Sequence, residues 1–306
     1  MSLNISPDDS ARRRTGLGYG ISAYLMWGFL PLLFVIAAPT GAFELVAHRV
    51  IWSLLFCAIL LAFTGGFKRT WDVITSGRTF WLLALASVLI AVNWTTFIYG
   101  VETHQLVEVS LGYYLNPLIS IGLGVIFLGE RLRPLQWAAV GFGLLAVVIV
   151  GMGIGRVPFI AFGVAVSFGL YGLVKNRVGG KVGALESMTV ETAVLTIPSL
   201  ALIGYLAIVD LNTFTGFGPG HVLVLILTGP ATAIPLIFFG AAARRIPLSW
   251  VGLLQYIAPT MQFIIGVALL GEVMSTTRWI GFFVIWIAVI LLSVDLAATT
   301  NRRRKL

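Results

Sequence analysis

Charge is scarce in this chain of 306 residues. Asp, Glu, Lys and Arg together make up 10% of it, whereas 58% of its residues are hydrophobic. A soluble domain carries about 25% charged residues, and a core of this size could not hide so much apolar surface. The composition therefore excludes an ordinary soluble domain and predicts a protein whose solvent is lipid. Because the apolar runs are continuous rather than alternating, helices fit the bilayer and a β-barrel does not.

Cysteine and histidine are also scarce. The one cysteine, Cys57, lies inside an apolar run, so a disulfide framework is excluded. The three histidines, His48, His104 and His221, lack the spacing of metal ligands. We therefore expect no metal, no cofactor and no catalytic residues.

What the chain has instead is a series of ten long apolar segments separated by short loops. About 20 mostly apolar residues suffice for a helix to cross a bilayer. Loops this short leave no room for a soluble domain. The predicted spans are 17–38, 43–63, 80–100, 104–128, 134–153, 157–174, 185–209, 221–242, 247–270 and 278–297.

The basic residues are distributed unevenly between the loops. With the N-terminus in the cytoplasm, 17 of the 20 Lys and Arg residues fall on the cytoplasmic side. Only Arg156 and Arg278 fall outside, and Arg49 lies within a span. Cytoplasmic loops of membrane proteins carry such an excess. The bias predicts a bacterial-type inner (plasma) membrane protein with both termini cytoplasmic, and it explains the net charge of +8 without a nucleic-acid partner.

Residues 114–137 recur in weaker form 142 positions later, at 256–279. Both copies carry a proline in the apolar run and reach Leu-Gly-Glu, ending at Glu130 and Glu272. Eight of the 24 positions coincide, which is more than shared apolar composition readily gives. The identical pairs are Tyr114/Tyr256, Pro117/Pro259, Gly124/Gly266, Val125/Val267, Leu128/Leu270, Gly129/Gly271, Glu130/Glu272 and Trp137/Trp279.

The repeat divides the chain into two halves of five spans each. We expect a cytoplasmic tail at 1–16, a first half at 17–153, a second half at 157–297 and a basic cytoplasmic tail at 298–306. Because five is odd, the second half must lie upside down relative to the first. Inverted repeats are typical of secondary transporters. The predicted fold class is an all-α membrane protein with ten transmembrane helices, built as two inverted five-helix repeats around a central cavity.

Several motifs resemble those of a known family. A fourth span that carries a proline, then glycines, then Leu-Gly-Glu resembles the EamA-type members of the drug/metabolite transporter superfamily. The ELVAHR motif at 44–49, followed by a tryptophan, and YYLNP at 113–117 resemble the RarD-type permeases. The resemblance covers nearly the whole chain. It implies ten helices around a central cavity open to one side, with the fifth and tenth helices peripheral.

Charged side chains inside the spans are candidates for the substrate site, because a charge in a bilayer is costly and is retained for a function. Glu44 and His48 are four residues apart and share one face of the second span. Arg49 lies deeper in the same span. The shift of 142 residues pairs Arg49 with Glu191, so we expect these two to form an ion pair across the cavity.

Amides and aromatic residues beside two prolines complete the predicted site. Pro117 and Pro259 are expected to kink their helices, because proline lacks a backbone donor and frees a carbonyl that a cavity or a side chain must satisfy. Asn116 aligns with Ala258, so its amide belongs to one half only. The further cavity-lining candidates are Asn93, Trp94, Tyr113, Tyr114, Asn116, Gln255, Tyr256 and Gln262.

Glu130 and Glu272 each follow a glycine at a helix end, where the helix dipole disfavours a carboxylate. We expect them to be structural or gating residues that cap a following helix or bind a loop arginine.

These features favour a secondary transporter that moves a small organic solute, such as an amino acid, another metabolite or a drug, by alternating access. Proton or ion coupling is left open, with Glu44, His48 and Glu191 as the titrating candidates, and so is the choice between monomer and homodimer. Two alternatives remain. One is a flippase for a lipid-type substrate, and the other, less favoured, is an intramembrane enzyme built around Glu44, His48 and Arg49.

Overall fold

The structure, a computed structural model, describes residues 7–129, 131–178, 182–243, 245–246 and 248–303. In these residues the chain forms twelve α-helices and one π-helical segment, and no β-strand. The α-helices are α1 (Pro7–Ile36), α2 (Ala42–Thr64), α3 (Phe67–Ile74), α4 (Arg78–Glu102), α5 (Leu106–Leu128), α6 (Pro134–Ile154), α7 (Phe159–Val178), α8 (Ala184–Ile208), α9 (Pro219–Ala243), α10 (Leu248–Leu254), α11 (Ile257–Ile264) and α12 (Thr276–Arg303). The π-helical segment, Ile265–Leu269, continues α11.

Ten stretches of the described chain are long and apolar enough to cross a membrane. Each overlaps one of the ten predicted spans, which confirms the predicted all-α membrane class. The spans are α1, α2, α4, α5, α6, α7, α8 and α9, then α10 and α11 with the π-helical segment, and finally α12.

Helix α3 lies in a segment that the sequence analysis assigns to the loop between the second and third spans. Phe67 and Trp71 are one helical turn apart and are 54% and 65% exposed. Lys68 and Arg69 lie between them. A short helix with apolar and basic faces is suited to lie in the membrane interface. Hydropathy alone misses it because the segment is too short and too polar to span.

The ninth span, predicted as one helix over 247–270, is interrupted. Helix α10 ends at Leu254 and α11 begins at Ile257. Pro259 is the third residue of α11, where its missing N–H has no helical partner to lose. Pro117, by contrast, lies inside the continuous helix α5. The two repeated prolines therefore occupy different local structures.

The packing of the helices pairs the first five spans with the last five. Helix α6 packs against α12, α2 against α8, and α5 against α11. Helix α4 packs against α7, and the corresponding helices α9 and α1 also pack together. Helix α5 packs against α7, and the corresponding helices α11 and α1 pack together. Helix α2 packs against α9, and the corresponding helices α8 and α4 pack together. Each of these three contacts between unlike spans thus has a counterpart when the halves are exchanged.

The repeated Leu-Gly-Glu motif has a conformational cause. Gly129 and Gly271 both have a φ of +67°, which lies in the left-handed region that glycine adopts without steric cost. Gly129 ends α5, and its N–H donates to the carbonyl of Gly124. After Gly271, the N–H of Glu272 donates to the carbonyl of Gly266, 2.9 Å away. A glycine is therefore required where each of these helices ends.

Helix α2 crosses α9 closely at Gly229. A Cβ placed on Gly229 would lie 2.4 Å from the carbonyl carbon of Trp52 and 2.5 Å from its oxygen. The obstacle is backbone, which cannot rotate away. Small residues of this kind allow membrane helices to approach each other.

We expect Gly229→Ala to lower the free energy of unfolding by about 1–3 kcal/mol, because overpacking must displace one helix. The melting temperature of the purified protein in detergent measures this effect. Gly204→Ala is the matched control, because Gly204 lies inside α8 and a Cβ there meets nothing within 4 Å. Equal melting temperatures for the two variants would show that a methyl group at position 229 does not strain the crossing of α2 and α9.

Candidate functional site

Arg49 is buried in the eighth position of α2, with only 3% of its surface exposed. Its Nε donates to the hydroxyl of Thr232 on α9, 2.7 Å away. Its guanidinium carbon lies 4.1 Å from the centre of the Trp94 ring and 5.6 Å from that of Phe34. The arginine is therefore held by one neutral hydroxyl and by aromatic faces. These four residues are called the Arg49 site below.

The predicted ion pair between Arg49 and Glu191 is wrong in this structure. Helices α2 and α8 are antiparallel: Glu44 at the start of α2 contacts Thr213, beyond the end of α8, and Glu186 at the start of α8 contacts Arg69, beyond the end of α2. The shift of 142 residues thus relates positions that are equally far from the N-termini of the two helices. Because the helices are antiparallel, these N-termini lie at opposite ends of the pair.

The depth of the two groups gives the physical reason. Cys57 of α2 packs with Met188 of α8, and its thiol bonds to Thr189. Arg49 precedes Cys57 by eight residues, whereas Glu191 follows Thr189 by only two. Along antiparallel helices, six residues separate their levels, which corresponds to about 9 Å at 1.5 Å per residue.

Glu191 finds its positive partner on α7. Its carboxylate lies 2.6 Å from the Lys175 ammonium and accepts hydrogen bonds from Ser187 at 2.7 Å and from Tyr171 at 3.1 Å. Lys175 also donates to Ser187. We call these four residues the Glu191 cluster. Lys175, Tyr171 and Ser187 were not among the site residues predicted from the sequence.

Asn93 and Tyr113, both predicted site residues, hydrogen-bond to each other near the Arg49 site. Tyr113 donates to Asn93 Oδ1 at 3.2 Å, and Asn93 Nδ2 donates to the carbonyl of Val164 at 3.0 Å and to Ser167 at 3.2 Å. Asn93 thereby joins α4, α5 and α7. The Tyr113 ring also packs edge-on against Phe97, with 5.7 Å between ring centres.

Tyr114 and Tyr256 stack on each other, with 6.3 Å between ring centres and 22° between planes. The Tyr114 hydroxyl hydrogen-bonds to that of Thr260 at 2.7 Å, and Ser110 donates to the carbonyl of Pro259 at 2.7 Å. These contacts join α5 to the start of α11. The two tyrosines are also partners under the 142-residue shift.

The three remaining amides lie in different surroundings. Asn116 is buried on α5, and its Oδ1 has no hydrogen-bond partner among the described residues. Gln262 is buried on α11, and its Nε2 donates to the carbonyl of Trp27 at 3.5 Å. Gln255 is half-buried and hydrogen-bonds to its neighbour Tyr256. The predicted site residues therefore form several groups rather than one.

Glu44 and His48 lie together at the start of α2, as their spacing predicts, with 3.8 Å between Oε1 and Nε2. Glu44 accepts a hydrogen bond of 2.8 Å from the Thr213 N–H. The His48 ring stacks on Phe214, with 4.9 Å between ring centres. Through Thr213 and Phe214, this pair connects the start of α2 to the loop between α8 and α9. The contact lies at the end of the molecule where α5 begins.

Glu272 caps helix α5. Its carboxylate accepts hydrogen bonds from the backbone N–H groups of Leu106 at 2.5 Å and of Val107 at 3.0 Å. Burial raises the pKa of the Glu272 carboxyl, and the backbone hydrogen bonds and Arg278 lower it in part. The carboxylate thus stabilises the positive end of a helix in the other half of the chain. Its counterpart Glu130 lies outside the described residues.

Several contacting residues were not singled out from the sequence. Thr232 lies in an apolar run and bonds to the carbonyl of Thr228, four residues earlier, so its type carries no specific signal. Glu108 is buried, pairs with Arg156 at 2.9 Å and accepts from the Ile160 N–H at 2.8 Å. An acidic residue in a first helical turn was the available signal for Glu108.

Comparisons with known proteins agree with this architecture. The model of the EamA-like transporter family matches residues 14–152. The chain is 45% identical over 292 residues to Protein RarD of Streptomyces exfoliatus, with 95% of this chain and 92% of that protein covered. It is 38% identical over 299 residues to Protein RarD of Escherichia coli strain K12, with 97% and 100% covered.

A protein of known crystal structure has the same overall fold. The TM-score is 0.60 at 19% identity, and the alignment covers 94% of this chain and 99% of that one. At this identity the likeness shows the fold alone.

Ten spans, buried polar groups between them and these relatives together define a multi-pass membrane transporter of the bacterial inner membrane, with a small-molecule substrate. The chain belongs to the EamA family of the drug/metabolite transporter superfamily, as a RarD-type permease. Members of this family are transporters and not enzymes.

The Glu191 cluster permits a test by paired substitution. Lys175→Met leaves the buried Glu191 carboxylate without its cation, and we expect a loss of about 3 kcal/mol in the free energy of unfolding. Adding Glu191→Gln removes the orphaned charge and should restore more than half of that loss. Melting of the single and double variants in detergent measures both effects. Additive losses would show that the two side chains do not compensate each other.

We expect Glu272→Ala to lower the free energy of unfolding by about 1–2 kcal/mol, because two backbone donors at the start of α5 lose their acceptor. The melting temperature in detergent checks this. Glu102→Ala is the control, since Glu102 is exposed at the end of α4. If both variants melt at the same temperature, the cap makes no net contribution.

Proposed function

We propose that this permease is a secondary transporter that moves a small organic solute by alternating access between two inverted five-span halves. The halves are residues 17–153 and 157–297, with both termini in the cytoplasm. The observation that carries the proposal is the stacking of Tyr114 on Tyr256. Two residues related by an internal repeat meet in this way when they lie beside the pseudo-twofold axis, which inverted repeats place in the membrane plane.

Two further observations support the inversion. Helices α5 and α11 correspond to each other under the repeat and are antiparallel, since Leu106 approaches Glu272 while Tyr114 approaches Tyr256. Helices α2 and α8 also correspond and are antiparallel, as the contacts at their ends show. Inversion of one five-span half relative to the other accounts for both.

The contacts at the two ends of the molecule suggest what opens and closes. At the end that we place outside, Glu272 caps α5, and Glu44 holds the loop that contains Thr213. At the opposite end, Glu186 holds Arg69 of α3 at 3.1 Å. Glu44 and Glu186 are partners under the repeat. We infer that carboxylate contacts of this kind form the two gates, and that both gates are closed in this structure.

The closed outer gate brings α5 and the ninth span together. A Cβ built on Gly266 would lie 3.0 Å from Val107 Cγ2 and 3.3 Å from the Val107 nitrogen. A disulfide between Val107→Cys and Gly266→Cys should therefore form and hold the outer gate shut. Because Cys57 is the chain's one cysteine, Cys57→Ser gives a cysteine-free background.

Labelling of Tyr113→Cys in this background tests alternating access without knowledge of the substrate. Tyr113 is half-buried beside the Arg49 site. A membrane-impermeant maleimide should reach the new cysteine both from outside intact cells and from inside-out vesicles. Once the 107–266 disulfide has formed, we expect at least a tenfold loss of labelling rate from outside, with no loss from inside.

The control for the labelling experiment is Tyr113→Cys without the two gate cysteines, treated with the same oxidant, which should keep its labelling from outside. Labelling of this control from one side only would overturn the alternating-access proposal. Uptake and counterflow in proteoliposomes with a panel of amino acids and other metabolites then test transport itself.

A further inference from the structure

Arg49 is the only fully buried Lys or Arg among the described residues, and it has no carboxylate partner there. Within the described ranges it forms no ion pair with Asp or Glu, although it is 3% exposed and lies inside a span. Some less buried cations of the described chain are paired with acids. Examples are Lys175 with Glu191, Arg156 with Glu108, and Arg133 with Asp295.

An uncompensated charge in the membrane interior carries a large desolvation cost. The contacts that the protein gives Arg49 recover only part of it. Thr232 offers a neutral acceptor at 2.7 Å, and the Trp94 and Phe34 rings offer cation–π contacts. A positive charge retained at this cost points to an anion that the protein itself does not supply.

The guanidinium also has a donor to spare. Its Nη1 is buried and has no hydrogen-bond partner among the described residues. Buried polar atoms are almost always hydrogen-bonded, and the exceptions call for a specific explanation. The surroundings of the guanidinium are aromatic, since it lies over the rings of Phe34 and Trp94. Phe34 also packs against Phe97, which packs against Tyr113.

No second free cation lies with Arg49 among the described residues. Lys175 is neutralised by Glu191 at 2.6 Å, and His48 faces Glu44 at 3.8 Å. A single positive charge is balanced by a single negative one. A dianion such as a phosphate monoester would leave one charge uncompensated in the membrane interior.

We propose that Arg49 binds the carboxylate of an organic monoanion through Nη1, with the apolar body of that molecule against Trp94 and Tyr113. This inference rests on the proposed transport function and names the chemical class of its substrate. Thr232 acts as a positioning residue, because its hydrogen bond to Nε fixes the plane of the guanidinium.

The test compares carboxylates with their neutral primary amides on the purified full-length protein in detergent. The probes are benzoate, phenylacetate and 3-phenylpropionate, each against its amide at equal ionic strength. Thermal unfolding is followed by tryptophan emission, excited at the red edge where the probes do not absorb. We expect at least one carboxylate to raise the melting temperature saturably, with its amide binding about tenfold more weakly or worse.

Variants assign the effect to Arg49. Arg49→Gln should abolish the stabilisation by carboxylate, whereas Arg78→Gln, which removes an exposed arginine at the start of α4, should keep it. Arg49→Lys retains the charge and should keep a weakened response. If Arg49→Gln does not fold, the comparison of carboxylate with amide on the unaltered protein still decides the matter.

Three results would overturn the proposal: no stabilisation by any of the three carboxylates, equal stabilisation by the amides, or an undiminished response of Arg49→Gln. Binding in detergent does not depend on transport. A protein that binds carboxylates but shows no movement of solute in proteoliposomes would contradict the proposed function alone. A protein that transports only cationic or neutral solutes and ignores carboxylates would contradict the monoanion alone.

Discussion

The cost of placing a charge or an unpaired polar group in hydrocarbon governs this molecule. It restricts the backbone to helices across ten spans and places most Lys and Arg residues near the ends of the spans or between them. Two of the carboxylates in or beside the helices are compensated by a partner. Glu191 meets Lys175, and Glu272 meets the positive end of α5. Against this background the buried position of Arg49, without a carboxylate partner among the described residues, supports the proposed binding of an anion.

The repeated Leu-Gly-Glu motif joins a conformational requirement to an electrostatic one. The glycine ends a helix in the left-handed conformation, with a φ of +67° at Gly271. The glutamate that follows is then free to accept the first N–H groups of α5. A carboxylate that is unfavourable at the end of its own helix is favourable at the start of another. The motif thereby links the two proposed halves at one face of the membrane.

Much of the architecture could be predicted because hydropathy and charge are local properties of the sequence. All ten spans overlap the predicted ones, and the spacing of Glu44 and His48 correctly predicts a shared face. Partner choice could not be predicted in the same way. The 142-residue shift led to an expected pair of Arg49 with Glu191, whereas antiparallel helices hold these groups at different depths and Lys175 takes the carboxylate.

The sequence by itself determined the class of protein, the number of spans, the repeat and the residue types able to bind a polar solute. Each of these follows from solvent preference or from identity between copies. Only the tertiary structure decided that α3 lies between the second and third spans, that the ninth span is interrupted before Pro259, and that Thr232 rather than an acid contacts Arg49. These outcomes depend on which helices cross and at what level, and a contact between residues 183 positions apart leaves no local pattern.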